Sequence, residues 1–504
     1  METKKTTQDA LESRSFAVGD LVMSFDPFVW VMERSAYKTR CAYCLQESQE
    51  LQTCSGCKLH RYCSVECQTA DWKVEHKTEC ALLMKIGLGT GIERKPDPSG
   101  CGIRFSLDVP TDLIAKIVNK IKLNAVTDVI GLGLKSAKEM WDMLPSNPKF
   151  ARMDIKHHRG LDVMQREFGL DLPEMETYAA KIGYNIMNIV DMPIMAPIGM
   201  ALFPPVSPQL MTPVCWDVNV VLSFRGRRLF LRAVEDIPNY TGLKDLRCNE
   251  IMMTDPFSLT RAGRRTTFKN LHGYPCTCRK CTTQYEAEIN PLKCTTVGCT
   301  NRIPSDERAL QPCAECGALN SKRLAEFRCF MEDHEEIMTG FPAQLHTSMT
   351  ASLLEDVDAA DILQPDAHFR YVCGWELPRK LFDENRFEEG WKLMQELIVC
   401  SRNIYPKYNV SHAMELSLAG VSAASALKNR VLERIKQLND EEKKQLKTMT
   451  DSACPVMLDY CREARDIFVM LYGEESKGAV GGNMLLARTE GFVRQIEQAF
   501  RGRQ

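Results

Sequence analysis

Between Cys41 and Cys80 the chain sets eight metal-ligand side chains at spacings used by short metal-binding modules. They read Cys41-x2-Cys44, Cys54-x2-Cys57, Cys63-x3-Cys67 and His76-x3-Cys80, with Tyr62 and Trp72 among them. Seven thiols and one imidazole complete two tetrahedral zinc sites, each taking four nitrogen or sulfur ligands. Interleaving lets one short chain wrap both ions: Cys41, Cys44, Cys63 and Cys67 around one, Cys54, Cys57, His76 and Cys80 around the other. Spacing alone leaves consecutive pairing open. Every coordination position is filled by protein, so the metal is expected to be structural, supplying folding free energy that so short a segment cannot gain from a core. The stretch METKKTTQDALESRSF at the start has no apolar run of signal-peptide length. The thiols are therefore expected to be reduced metal ligands in an intracellular protein, nuclear or cytoplasmic, rather than disulfides.

At 504 residues the chain exceeds what one core usually supports, and two to four domains are expected. A net charge of −2 gives no whole-protein attraction to nucleic acid or to an anionic membrane. The most apolar stretch, Tyr184 to Val206, carries Asp191, Pro193, Pro197, Pro204 and Pro205, so it reads as buried strands and turns rather than a membrane span.

Along the chain, residues 15–32 read as a local hairpin or paired strands. Pro110-Thr111-Asp112 starts a helix with Leu113, Ile114, Ile117, Val118 and Ile121 on one face. Helical patterns continue at Lys135–Leu144 and Leu161–Gly169. Val218–Phe224 and Arg228–Val234 read as strands joined by an Arg225-Gly226 turn, with Tyr240 in a later turn. Beyond Ser321 the pattern is helical, broken at Pro406, near Asn439-Asp440 and at Gly473, with Arg379–Arg402 and Met457–Tyr472 strongly helical and no crisp repeat. The overall class is α+β.

Two further cysteine groups follow the first. Cys276-x-Cys278-x2-Cys281 offers three thiolates and needs a fourth ligand from elsewhere. Cys294-x4-Cys299 and Cys313-x2-Cys316 are two cysteine turns about a dozen residues apart, as in a zinc ribbon. Cysteines outside these groups, such as Cys329 and Cys400, read as small apolar residues.

The first module, with Tyr62, Trp72 and the final His-x3-Cys, closely resembles a MYND zinc finger. The chain as a whole resembles the SET-and-MYND protein-lysine methyltransferases, whose split SET domain carries a MYND finger as an insert. Cys276-x-Cys278-x2-Cys281 is similar to their post-SET motif. Gly199-Met-Ala-Leu-Phe-Pro204 and the following Leu210-Met-Thr-Pro-Val-Cys215 resemble the lead-in and Asn-His-Ser-Cys segment that supplies the fourth ligand, which makes Cys215 that ligand. Val218–Gly226 and Arg232–Ile237 resemble the SET hairpin and the strand after it. The helices near Ala464–Phe468 and Tyr472-Gly473 resemble the tetratricopeptide-like C-terminal domain. The resemblance implies a SET-like β-fold in residues 1–40 and 191–275, a MYND finger at 41–80 and a helical insertion at 81–190. It also implies a post-SET motif at 276–281, a ribbon-like segment at 282–330 and a helical domain at 331–504, with about four zinc ions in all.

The resemblance further implies S-adenosylmethionine and a lysine-bearing substrate. Lysine methylation needs the donor methyl in line with a neutral amine whose ordinary pKa is about 10.4. The family meets this with a Gly-x-Gly turn, an Asn-His pair and a tyrosine hydroxyl. Here no glycine precedes Gly19, Thr212, Pro213 and Val214 stand at the Asn-His-Ser positions, and Met253 of Met252-Met253-Thr254-Asp255 stands at the tyrosine position. Proline has no N–H and methionine no hydroxyl. Tyr240 lies about a dozen residues upstream as the nearest substitute, and Asn185, near a family asparagine, is the one remaining candidate for cofactor contact.

Arg225–Arg228 and Arg261–Arg265 are local basic clusters that read as a solvated hairpin tip and loop, without the interleaved aromatics that single-strand binding uses. His157-His158 lacks a third ligand. The expectation is a catalytically weak or inactive homologue acting as an interaction scaffold in transcriptional or chromatin regulation, with the finger taking proline-containing peptides. An active lysine methyltransferase is the alternative, and a nucleic-acid-binding zinc protein stands third.

Overall fold

The computed structural model describes residues 14–86, 111–123, 136–147, 161–191, 196–206, 210–248, 261–283, 285–333, 347–474 and 476–501. The chain mixes sheet and helix and divides into two units, 1–254 with 269–274, and 255–268 with 275–504.

In the first unit, β1 (Arg14–Phe16), β2 (Leu21–Phe25) and β3 (Val29–Met32) precede the finger strands β4 (Gln52–Thr53) and β5 (Arg61–Tyr62). Then come β6 (Ile186–Asp191), β7 (Ala196–Leu202), β8 (Thr212–Pro213), β9 (Val220–Arg225), β10 (Arg228–Ala233), β11 (Ile237–Tyr240) and β12 (Arg247–Cys248). Residues 15–32 do not form a local hairpin. Instead β1 pairs with β11, β2 with β10 and β3 with β7, each antiparallel. Tertiary pairing thus overrides the local pattern.

β3 shows why. Trp30 and Met32 enter one core with Phe25, Leu222, Leu229 and Leu231, while Val29 and Val31 enter another with Leu113, Ile117, Met140 and Leu202. Side chains alternate faces along a strand, and a strand buried on both faces is apolar throughout. The second core is closed by helix Thr111–Lys122, whose Leu113, Ile114, Ile117 and Val118 are buried as the periodicity indicates. β9 and β10 form the expected hairpin, with Arg225 opposite Arg228. Tyr240 ends a strand rather than sitting in a turn.

β8 runs parallel to β12. Thr212 N–H donates to Leu246 O at 3.0 Å and Val214 N–H to Cys248 O at 2.9 Å. Donors alternate along such a ladder, so Pro213, which has none, fits between them.

In the second unit a two-stranded ribbon, β13 (Leu292–Lys293) with β14 (Arg302–Ile303), leads into helices. The later ones are Phe387–Ile404, Val410–Arg434, Asp440–Tyr472 and Lys477–Arg501. The expected helix over 379–402 is broken: Leu377–Asp383 ends, Asn385 takes φ +61°, and a new helix begins at Phe387. Asparagine tolerates that left-handed conformation better than most residues. Asn439 caps the next long helix by accepting from Glu442 N–H at 2.9 Å, while Glu442 accepts from Asn439 N–H at 2.9 Å, and Gly473 at φ +85° follows its end.

Candidate metal centres and the region beside them

The finger folds as two short strands followed by a helix, Val65–Asp71, that passes through a wide π turn at Trp72–His76 into Lys77–Ile86. Ser64 caps it, accepting from Cys67 N–H at 3.2 Å. This geometry separates the eight ligands into two groups, Cys41, Cys44, Cys63 and Cys67, then Cys54, Cys57, His76 and Cys80. The interleaved arrangement is the one formed.

Bond lengths test the fit to metal. Zn–S bonds of about 2.3 Å give a tetrahedron with sulfur–sulfur edges of about 3.8 Å. In the first group Cys44 Sγ lies 3.7 Å from Cys63 Sγ, and Cys63 Sγ lies 3.6 Å from Cys67 Sγ. In the second, Cys54 Sγ and Cys80 Sγ are 3.9 Å apart, and His76 Nε2 is 3.4 Å from Cys54 Sγ and 3.6 Å from Cys57 Sγ. Both groups suit zinc. All four residues of the second group are buried, whereas in the first Cys63 is exposed, Cys44 and Cys67 are partly so, and Cys41 is buried.

Beneath the second group lies a buried charge network. Asp71, Glu75 and Glu79, four residues apart, are turned inward on the finger helix. Asp71 Oδ2 accepts from Tyr62 Oη at 2.8 Å and lies 3.4 Å from His60 Nδ1, while Arg227 Nη1 sits 3.1 Å from Asp71 Oδ1. Glu75 pairs with Lys120 at 2.8 Å and accepts from Trp30 Nε1 at 3.1 Å; Glu79 pairs with Lys116 at 2.8 Å. Burial works against the Asp71 carboxylate, but the His60 hydrogen bond and the Arg227 charge outweigh it and hold the carboxyl below its usual range. For Glu75 burial is likewise overcome, by Lys120, Lys116 and Arg227, which bring its pKa down to about 2.

Arg227 is therefore no solvated tip residue. It is 8% exposed, its guanidinium is 5.0 Å from the Tyr43 ring centre and 5.4 Å from that of Trp30, and Gly226 beside it takes φ +60°. A β-carbon at Gly226 would lie 3.1 Å from the Cys44 carbonyl oxygen, so the hairpin turn rests on the first cysteine turn of the finger. The sequence reading missed this because the partners of Arg227 are remote along the chain.

In the second unit, Cys294, Cys299, Cys313 and Cys316 come together as the ribbon spacing indicates. Cys294 Sγ is 3.5 Å from Cys316 Sγ, Cys299 Sγ is 3.8 Å from Cys313 Sγ, and Asn301 Nδ2 donates to Cys313 Sγ at 3.2 Å. Cys276, Cys278 and Cys281 are buried in the same unit, on a turn in which Cys281 N–H donates to Cys278 O at 2.9 Å. Arg261 Nε and Arg265 Nη1 donate to Cys281 O at 3.0 and 3.3 Å, so part of the second basic cluster braces this turn. Cys215 is buried in the first unit.

At the positions where the resemblance places cofactor chemistry, the Thr212 hydroxyl and the Asn185 amide nitrogen are engaged within the fold, while the buried Asn185 Oδ1 has no hydrogen-bond partner among the described residues. Thr212 Oγ1 donates to Lys244 O at 2.9 Å. Asn185 Nδ2 donates to Pro145 O at 2.8 Å and Lys181 O at 2.7 Å, tying the end of helix Leu172–Asn185 to the segment after helix Ala137–Met143. Tyr240 is buried edge-on to Phe16, with its hydroxyl 3.8 Å from Met23 Sδ, and burial pushes its pKa up. Met253, His157 and His158 lie outside the described residues. A cleft of about 390 Å³ adjoins Thr212; among the described residues it is lined by Asn219, Ile237, Pro238, Asn239, Lys244, Asp245 and Arg247 among others. Among the described residues no helix is long and apolar enough to cross a membrane.

Residues 41–80 match the family model of the MYND finger. The chain is 26% identical to human N-lysine methyltransferase SMYD2 over 53% of its own length and 56% of that protein. It is 27% identical to human histone-lysine N-methyltransferase SMYD3, over 53% and 57%, and 25% identical to Xenopus laevis N-lysine methyltransferase SMYD2-B, over 54% and 57%. The chain thus spans about half the length of the curated relatives it matches.

Proposed function

Because the chain is a divergent member of the SET-and-MYND family, we propose that it is a zinc-braced interaction scaffold with little or no methyltransferase turnover, acting in transcriptional or chromatin regulation. The observation that carries this reading is the state of Thr212-Pro213-Val214. At the place where the family presents an Asn-His pair, the backbone donors of Thr212 and Val214 are spent on the β8–β12 ladder and the Thr212 hydroxyl on Lys244 O. Preorganised donors at a reacting centre are commonly worth about 10²–10³ in rate each. Met253 at the tyrosine position removes a second such group. The metal-ligand groups, by contrast, keep tetrahedral spacing.

In this reading residues 1–40 and 191–275 form a split SET-like fold, interrupted by the finger and a helical insertion. The post-SET motif follows, then the ribbon and a tetratricopeptide-like helical domain. About four zinc ions are bound. The finger recruits proline-containing segments of transcription or chromatin proteins.

The alternative of an active lysine methyltransferase is favoured by the names of the relatives. Incubating the zinc-loaded chain with methyl-labelled S-adenosylmethionine and histone or lysine-peptide arrays separates the two. The scaffold reading expects no label above an enzyme-free control and expects peptide capture that is lost in Cys57→Ser.

A further inference from the structure

The two metal groups of the finger differ in access, and access decides which thiolates an oxidant can reach. Cys54, Cys57, His76 and Cys80 are all buried, and the helix carrying His76 and Cys80 is held by the Asp71–Arg227, Glu75–Lys120 and Glu79–Lys116 pairs. In the other group Cys63 is exposed, Cys44 is partly exposed, and their sulfurs are 3.7 Å apart. Zinc binding keeps cysteine deprotonated, and the thiolate is the form that peroxides attack.

We propose that the Cys44–Cys63 edge is an oxidative modification site: hydrogen peroxide converts it to a disulfide and expels one zinc ion from the finger, while the buried second ion stays. The Cys63 thiolate attacks the O–O bond, becoming a sulfenic acid and releasing hydroxide. The Cys44 thiolate then attacks the sulfenic sulfur, forming the S–S bond and releasing a second hydroxide. Two protons from solvent complete two waters, and the two electrons that reduce the peroxide come from the thiolate pair. The remaining Cys41 and Cys67 no longer provide a four-ligand site, so the ion leaves.

The structure gives this event a mechanical consequence. The hairpin turn at Gly226 packs on the Cys44 carbonyl, and Arg227 lies over the ring of neighbouring Tyr43. Opening the first group loosens the surface on which the β9–β10 hairpin rests, while the ion pairs to the finger helix keep the second group seated.

The test is a peroxide titration of the full zinc-loaded chain, with cysteine-resolved differential alkylation and mass spectrometry alongside released-zinc detection. Cys329, exposed and outside every ligand group, is the internal reference thiol, and Cys299 and Cys316 of the ribbon are scored separately. The expected result is a Cys44–Cys63 linked peptide that rises together with loss of one zinc, at doses where Cys54, Cys57 and Cys80 stay unoxidised, and that thiol reductant plus zinc reverses. Oxidation of Cys54, Cys57 or Cys80 as fast as Cys63 would overturn the proposal. So would a Cys63 no more reactive than Cys329.

Discussion

Arg227 Nη1 lies 3.1 Å from Asp71 Oδ1, and both side chains are buried. This ion pair joins the turn of a β-hairpin to the helix of the zinc finger. The finger is consequently part of a common core, and its cysteines Cys41, Cys54, Cys57 and Cys80 pack in one cluster with Trp30, Leu222 and Leu229.

Replacing Arg227 by Met leaves Asp71 and Glu75 buried with fewer counter-charges. Removing one partner of a buried pair typically costs about 3–5 kcal/mol. The denaturant midpoint of the zinc-loaded R227M protein should fall accordingly. A loss below about 1 kcal/mol, the range of exposed pairs, would mean the pair is hydrated in solution.

The same packing changes what loss of a ligand does. A finger on a free linker would unfold locally when Cys57 or His76 is replaced. Here C57S or H76A should release one zinc ion and also reduce hydrogen-exchange protection in β9 and β10 of the first unit, because the network around Arg227 loses its helix. Unchanged protection of the hairpin would show that the finger folds independently.

These relationships mark where the sequence stopped being informative. Metal-ligand spacings are local and chemically restrictive, so the finger and the ribbon could be read directly from the order of cysteines. The helix over Thr111–Lys122 was equally readable, since its apolar stripe is contained in twelve residues. Arg227 was not, because a basic run at a turn looks solvated and its acidic partner is 156 positions away. β1, β2 and β3 look like each other's partners for the same reason, although their hydrogen bonds go to strands beyond residue 195. The break at Asn385 depends on one left-handed residue inside an otherwise helical pattern.

In the helical region, Gly420 allows close approach of two long helices. A β-carbon there would lie 2.5 Å from Cys461 Sγ and 2.6 Å from Met457 O. G420A should therefore destabilise the chain by about 1–3 kcal/mol through overpacking, despite the better helix propensity of alanine. An unchanged or raised unfolding midpoint would contradict this packing.

Acid stability should depend on Glu463. His412, with Nε2 3.8 Å from one Glu463 oxygen, and Arg402, 2.5 Å from the other, outweigh burial and bring its pKa down from the ordinary value of 4.5 to about 2. A carboxyl depressed in the folded state contributes stability that is fully present above pH 4.5 and is lost as pH falls from there towards about 2. E463Q should flatten that part of the pH–stability curve and leave its alkaline side unchanged. A wild-type curve already flat between pH 4.5 and 2 would refute the assignment.

The central proposal is that this chain keeps a metal-braced frame while the groups expected to hold and use a methyl donor have been replaced. Calorimetric titration of the zinc-loaded chain with S-adenosylmethionine, repeated with S-adenosylhomocysteine, tests it most directly. The account expects no saturable heat in the micromolar range for either compound, with zinc content staying near four per chain. Micromolar binding of either one would contradict it.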